Sequence, residues 1–121
     1  MTEAGSQAHA FYKDLRLSKS VWTVRDADGY PAPKTASGKR AQPFWSSRSR
    51  VERIIKTVPA YSTFEPHEIP LQDFVTNWLP TLERDGMLAG VNWSGPKALG
   101  YDVEPSHLAE ILGSDSDPQP E

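Results

Sequence analysis

Apolar residues recur at helical spacing in some segments of this chain and form β-branched, aromatic runs in others. Helical spacing near the N-terminus predicts a helix over about residues 6–17. A second helix is expected after Ser46 or Ser47, because a serine hydroxyl can accept a backbone N–H bond at a helix start, and Pro59 ends it. The apolar positions of this helix are Val51, Ile54, Ile55 and Val58.

A third helix is predicted to begin at Pro70 and to be kinked or divided at Pro80. Proline fits the first turn of a helix but cannot donate a hydrogen bond further along it. Asp85 and Gly86 end the helix, and a short fourth helix follows Pro105. The apolar stripes of the second and third helices are expected to meet in one core made of Val51, Ile54, Ile55, Phe74, Val75, Trp78 and Leu82.

Strands are predicted where β-branched and aromatic residues cluster. The first spans residues 21–25 and ends in a turn over residues 26–29, which predicts a hairpin whose return strand begins near Tyr30. Pro31 and Pro33 make this return strand irregular, because proline cannot donate to a β-ladder. After a second turn at Ser37–Gly38, further extended segments are expected to end at Phe44–Trp45 and to cover about residues 64–69, 87–93 and 98–103.

This order of elements predicts an α+β fold, since it lacks the strict alternation of strand and helix that builds a parallel sheet. We expect a single compact domain over residues 1–113, with an antiparallel or mixed sheet covered mainly on one face and about four amphipathic helices. Residues 114–121 contain no apolar side chain to bury and are expected to form a disordered acidic tail.

Charge is divided unevenly along the chain. Residues 1–56 carry 11 Lys and Arg against 5 Asp and Glu, a formal charge of +6, whereas residues 57–121 carry 2 against 11, a formal charge of −9. Such clusters create fields that steer charged partners. The sequence has no membrane-spanning apolar run, no secretion signal and no cysteine, so a cytoplasmic protein without a membrane partner is expected.

Residues that often act in catalysis or bind metals occur here without the spacing that those functions need. The three histidines are His9, His67 and His107, far apart in the sequence. Ser46 and Ser47 lack a nucleophile elbow, and Asp26 and Asp28 lack the other ligands of a calcium loop. We expect no catalytic residue, no metal site and no cofactor, although an enzyme site assembled from unpatterned residues is left open.

Two groups of residues are candidates for a binding surface. The first is a basic cluster made of Lys39, Arg40, Arg48, Arg50, Arg53 and Lys56. These cations can bind phosphates, face solvent or meet a protein partner. The second group is Trp45 and Trp93, which end strands and are of the type that anchors protein interfaces. The candidate binding residues are therefore Trp45, Arg48, Arg50, Arg53 and Trp93.

Several short motifs together resemble those of a small bacterial family catalogued as a domain of unknown function, number twenty-seven fifty. The motifs are Val21-Trp22, Asp26 to Gly29, Pro43 to Arg48, Leu71 to Phe74, Trp78-Leu79-Pro80 with Leu82, and Asp85-Gly86. The similarity covers about residues 8–112. It implies a compact bacterial α+β protein and supplies no activity.

The function that these observations favour is a non-enzymatic protein-binding module of the immunity or accessory type. Its partner would be another protein, whose identity the sequence does not give. The alternative is a nucleic-acid-binding protein that uses the basic cluster from Lys39 to Lys56.

Overall fold

The computed structural model describes residues 3–95 and 98–116. Within them the elements are α1 (Glu3–Ser18), β1 (Ser20–Arg25), β2 (Ala41–Phe44), α2 (Arg48–Thr57), β3 (Glu65–Pro70), α3 (Leu71–Asp73), α4 (Leu79–Arg84), β4 (Leu88–Ser94), β5 (Leu99–Val103) and α5 (Pro105–Ser116). A π-helical turn, Phe74–Trp78, joins α3 to α4, and a short 3₁₀ turn, Pro59–Tyr61, follows α2. With α3, the π-turn and α4 counted as one broken helix, the described part of the chain has four helices.

The strands form a mixed sheet. β1 and β3 are antiparallel, β2 and β4 are parallel, and β4 and β5 are antiparallel. The two groups of strands are joined where Trp22 N–H donates to Trp45 O at 2.8 Å and Trp45 N–H donates to Trp22 O at 2.7 Å. The resulting strand order is β3-β1-β2-β4-β5, and the predicted α+β class is confirmed.

The predicted hairpin after β1 is wrong, although its turn is correct. Asp26 and Gly29 exchange backbone hydrogen bonds of 3.0 and 3.1 Å, and Gly29 adopts a φ of 115° that suits glycine. β1 then pairs with β3 rather than with the segment that follows the turn. Residues 30–40 hold one isolated bridge, between Lys34 and Arg40, because the prolines at 31 and 33 remove two ladder donors.

Helices pack on both faces of the sheet, but most of the helical cover lies on one face, as expected: among the described residues, α1, the broken helix and α5 share one face and α2 packs on the other. Side chains alternate along a strand, and this alternation divides the apolar residues into two clusters. Phe74 and Leu82 belong to the cluster with α1 and α5, whereas Val51 and Ile54 of α2 belong to the other. The single core predicted for these two helices is therefore wrong.

The C-terminal helix differs from its prediction in length. α5 continues to Ser116, which is three residues into the segment expected to be an acidic tail. Residues 117–121 lie outside the described residues, as do Pro96 and Lys97 in the turn expected between the last two strands. No helix in the described ranges has the length and apolar character needed to cross a membrane.

Candidate functional site

Trp45 and Trp93 are buried, with 0% and 5% of their surfaces exposed, so the expectation that they stand in a binding surface is wrong. Trp45 Nε1–H donates to Trp93 O at 2.8 Å, and Trp93 Nε1–H donates to Asp102 Oδ1 at 3.0 Å. The reason lies in Asn92, whose φ of 50° interrupts the alternation of β4. Val91 and Trp93 consequently lie on opposite faces of the sheet.

Three residues of the predicted basic cluster lie against separate carboxylates. Arg48 donates to Glu52 Oε2 at 2.8 Å, and its guanidinium lies 5.6 Å from the centroid of the Trp22 ring. Arg50 lies 3.8 Å from Asp14, and Lys39 lies 3.3 Å from Glu104. Arg53 is an exposed residue of α2. Much of the local positive charge is thus close to carboxylates on α1, on α2 and before α5.

The two candidate serines have structural roles. Ser47 caps α2, because its hydroxyl accepts a bond from Arg50 N–H at 3.3 Å. Ser46 is buried and bonds in both directions with Asn92, since Ser46 N–H donates to Asn92 Oδ1 at 2.9 Å and Asn92 Nδ2 donates to Ser46 Oγ at 3.0 Å. The Ser46 hydroxyl donates in turn to Asp14 Oδ2 at 2.7 Å. This network fastens the end of β2 to α1 and β4.

An open cavity of about 440 Å³ lies between β2 and the broken helix. It is lined by Tyr30, Ala32, Gln42, Asn77, Trp78, Thr81, Leu82, Asp85 and Met87. Its size falls in the range of sites that hold a small molecule or a large side chain. The sequence prediction included none of these residues as binding residues.

Gln42 provides the most informative group of this cavity. It is a β2 residue on the same side of the sheet as Phe44, and only 5% of its surface is exposed. Its Nε2 has no hydrogen-bond partner among the described residues. A buried donor without an acceptor costs about 1–3 kcal/mol. The amide is therefore an unused donor beside an open cavity.

Aromatic rings form one wall of the cavity. Tyr30, which is 40% exposed, meets the ring of Trp78 edge to face at a centroid distance of 5.0 Å. The imidazole ring of His67 is next to both, with its centroid 5.7 Å from that of Tyr30 and 6.2 Å from that of Trp78. Burial and the nearby Arg25 lower the pKa of His67. This wall presents flat apolar surface with a largely neutral imidazole beside it.

The π-turn supplies Trp78 to the aromatic wall and Asn77 beside it. Leu79 N–H bonds to Phe74 O, five residues back, and Pro80 has no N–H with which to restore the regular pattern. Asn77 and Trp78 of this turn line the cavity, and both side chains donate to Asp73, with Trp78 Nε1 at 3.2 Å from Asp73 Oδ2. Single π-turns are frequent at functional sites. Pro80 was predicted from sequence to disturb this helix, and the disturbance falls at the cavity.

A second cavity, of about 460 Å³, lies between Lys19, Leu71 and Leu112. None of the described residues that line it holds a buried side-chain nitrogen or oxygen without a partner. In residues 3–95 and 98–116 there is also no group of three or more His, Asp or Glu side chains placed to hold a metal ion. We therefore take the Gln42 cavity as the candidate site. Its aromatic wall and unused donor are suited to binding.

Comparison with known proteins gives one informative result. No curated protein matches this chain. One family matches residues 8–112, which is most of the sequence, and its members are described as proteins of unknown function. The chain therefore belongs to the DUF2750 family.

Proposed function

We propose that this protein is a non-enzymatic protein-binding module of the bacterial cytoplasm, of the immunity or accessory type. Its binding surface surrounds residues 30–33, which we call the proline ridge. The observation that carries the proposal is that three concavities adjoin this short ridge. They are the Gln42 cavity and two shallower depressions of about 310 and 180 Å³.

The surface around the proline ridge has the composition of a protein interface. Its middle is apolar and aromatic, with Tyr30, Pro31 and Phe64 between the three concavities. Charged residues stand at its edges: Asp26, Asp28, Arg40 and Asp85. Protein interfaces have such a centre, enriched in aromatic residues, inside a polar rim.

Several adjacent concavities suit a partner chain better than one free small molecule. A protein segment can place successive side chains in separate depressions, whereas a compound of ordinary size fills one. The ridge itself is stiff, because the two prolines fix φ, so little conformational entropy is lost when it binds.

Nucleic-acid binding through Lys39 to Lys56 stays a prediction that no described contact favours. Phosphates would have to compete with Glu104, Glu52 and Asp14, which already lie within 4.0 Å of Lys39, Arg48 and Arg50. Fewer free cations mean fewer counterions released on binding and a weaker affinity.

Site-specific photocrosslinking in bacterial cells tests the proposed surface. A photoreactive phenylalanine analogue replaces Tyr30 in one variant and Tyr101 of β5 in a matched control. The two tyrosines are 40% and 44% exposed. We expect the analogue at position 30 to give a discrete protein adduct, identified by mass spectrometry, and the analogue at position 101 to give none.

The adduct at position 30 should also decrease when untagged wild-type protein is added as a competitor, since both forms would share one partner. Equal labelling at the two positions, or an adduct at position 30 that resists competition, would contradict the proposal. If the adduct contained a second copy of this chain, the proposal that the partner is a different protein would be contradicted.

A further inference from the structure

The wall of the Gln42 cavity contains a buried hydrogen-bond donor. Gln42 combines burial with an Nε2 that has no hydrogen-bond partner in the described part of the chain. Folding normally pairs buried donors, since an unpaired one costs free energy. Nε2 itself is not accessible to solvent, so the amide must turn toward the cavity to meet an acceptor atom there, and the bond formed would remove this cost.

The charges around the cavity restrict what that acceptor is. Among its described lining residues, Asp85 is the one with a charged side chain, and none is Lys, Arg or His. A carboxylate or phosphate entering the cavity would therefore lose hydration, gain no ion pair from a lining residue and meet the like charge of Asp85, which exposed Arg84 offsets only in part at 3.3 Å. An uncharged acceptor avoids this cost.

The shape of the walls restricts the occupant further. The rings of Tyr30 and Trp78 meet at an interplanar angle of 79° and form an apolar corner, with Leu82 and Met87 close by. Flat groups gain most from contact with such faces and edges.

We infer that the cavity binds an uncharged planar group whose carbonyl oxygen or ring nitrogen accepts a hydrogen bond from Gln42 Nε2. The planar group is a side chain of the partner protein, and in this respect the inference rests on the proposed function. The side chains of glutamine, asparagine and neutral histidine have this chemistry.

Three probes of similar size test the chemistry on the full chain: benzamide, benzoate and toluene. Benzamide is planar, uncharged and an acceptor, benzoate adds a negative charge, and toluene lacks the acceptor. Binding is followed by NMR through the indole N–H signals of Trp78, at the cavity, and of Trp93, on the other face of the sheet. We expect benzamide to shift the Trp78 signal alone and to bind about tenfold more tightly than either other probe.

Two variants test whether Gln42 and Asp85 cause the preference for benzamide over the other probes. Gln42→Met keeps the length of the side chain but removes the donor, so benzamide and toluene should then bind about equally. Asp85→Asn removes the negative charge, so benzoate affinity should rise severalfold while benzamide affinity changes little. An unchanged Trp93 signal confirms that each variant is folded. Wild-type protein that binds benzoate as tightly as benzamide, or shows no Trp78 shift with millimolar benzamide, would overturn the inference even if Gln42→Met failed to fold.

Competition with the crosslink at position 30 separates this inference from the proposed function. Saturating benzamide should reduce the adduct, because the probe and the partner's side chain occupy the same cavity. An adduct that benzamide leaves unchanged would overturn the inference and leave the protein-binding function in place. If benzamide bound selectively but no adduct formed, the claim that a partner protein supplies the planar group would be overturned, together with the proposed function.

Discussion

Two buried carboxamides on the adjacent strands β2 and β4 differ sharply in their hydrogen bonding. Asn92 is 0% exposed, and its oxygen and nitrogen both bond to Ser46. Gln42 is 5% exposed, and its Nε2 has no partner in the described residues. Asn92 lies where β2, β4 and α1 close on each other, whereas Gln42 faces an open cavity. The bonded amide of Asn92 joins elements of the fold, whereas the unpaired donor of Gln42 supports the proposal that its cavity is a binding site.

The largest contrast between these regions should come from their tryptophans. Trp45→Ala removes a fully buried ring near Asn92 and should lower the free energy of unfolding by about 3–5 kcal/mol. Trp78→Ala removes a partly exposed ring at the cavity and should cost about half as much, since less apolar surface is lost from the core. Urea unfolding of both variants measures the difference. Equal losses would show that the cavity wall is packed as tightly as the closed region.

Replacing Asn92 should lower the free energy of unfolding more than replacing Gln42. Asn92→Ala leaves Ser46 N–H without its acceptor, removes the bond that the Ser46 hydroxyl accepts and places alanine at a positive φ, so we expect a loss of about 2–4 kcal/mol. Asn92→Gly removes the same hydrogen bonds but tolerates the backbone conformation and should lose less. Urea midpoints of the two variants separate the contributions. A loss below about 1 kcal/mol for Asn92→Ala would remove the basis of the comparison.

Gln42→Met should have the opposite effect. The variant removes a donor that has no described acceptor, while methionine keeps the apolar stem of the side chain. We expect the free energy of unfolding to stay the same or to rise by up to about 1 kcal/mol, measured in the same urea experiment. A loss above about 2 kcal/mol would mean that the amide is bonded in solution and that the cavity has no free donor.

The smallest effect should be a pH dependence of stability caused by His67, beside the cavity. Burial and Arg25 lower the pKa of His67 below its ordinary value of 6.5, so the unfolded chain binds the proton more readily than the folded protein. This contribution to stability is complete above pH 6.5 and decreases as the pH falls below it. Melting temperatures between pH 5 and 8 should show a shallower dependence for His67→Gln. An unchanged profile would remove His67 as the cause.

Local features of the fold could be predicted from the sequence because each depends on residues close in the chain. Ser47 caps α2, Pro80 accompanies a break in its helix, and the turn ending at Gly29 forms as expected. The pairing of β1 with β3 was missed, because the choice between two strand partners depends on contacts far apart in the sequence.

The candidate site was harder to predict than the fold. Trp45 and Trp93 were predicted as binding residues because they end strands and are of the type that anchors protein interfaces. The positive φ of Asn92 instead turns Trp93 inward against Gly90, where even a Cβ atom would collide with the indole. Gln42 gave no signal, since a polar residue in a strand does not reveal whether its amide finds a partner. That property depends on the side chains opposite it in the folded protein.

The edge of β3 has a consequence for how a partner can approach. This strand pairs with β1 on one side and contains Pro66, Pro70, Glu65 and Glu68 among its six residues. Proline interrupts hydrogen bonding to an added strand, and exposed glutamates disfavour close association of identical edges. The edge is therefore protected from sheet extension and from aggregation between copies. Since β-augmentation is hindered beside Tyr30, the proposed partner would be recognised through side-chain contacts, and therefore by its sequence.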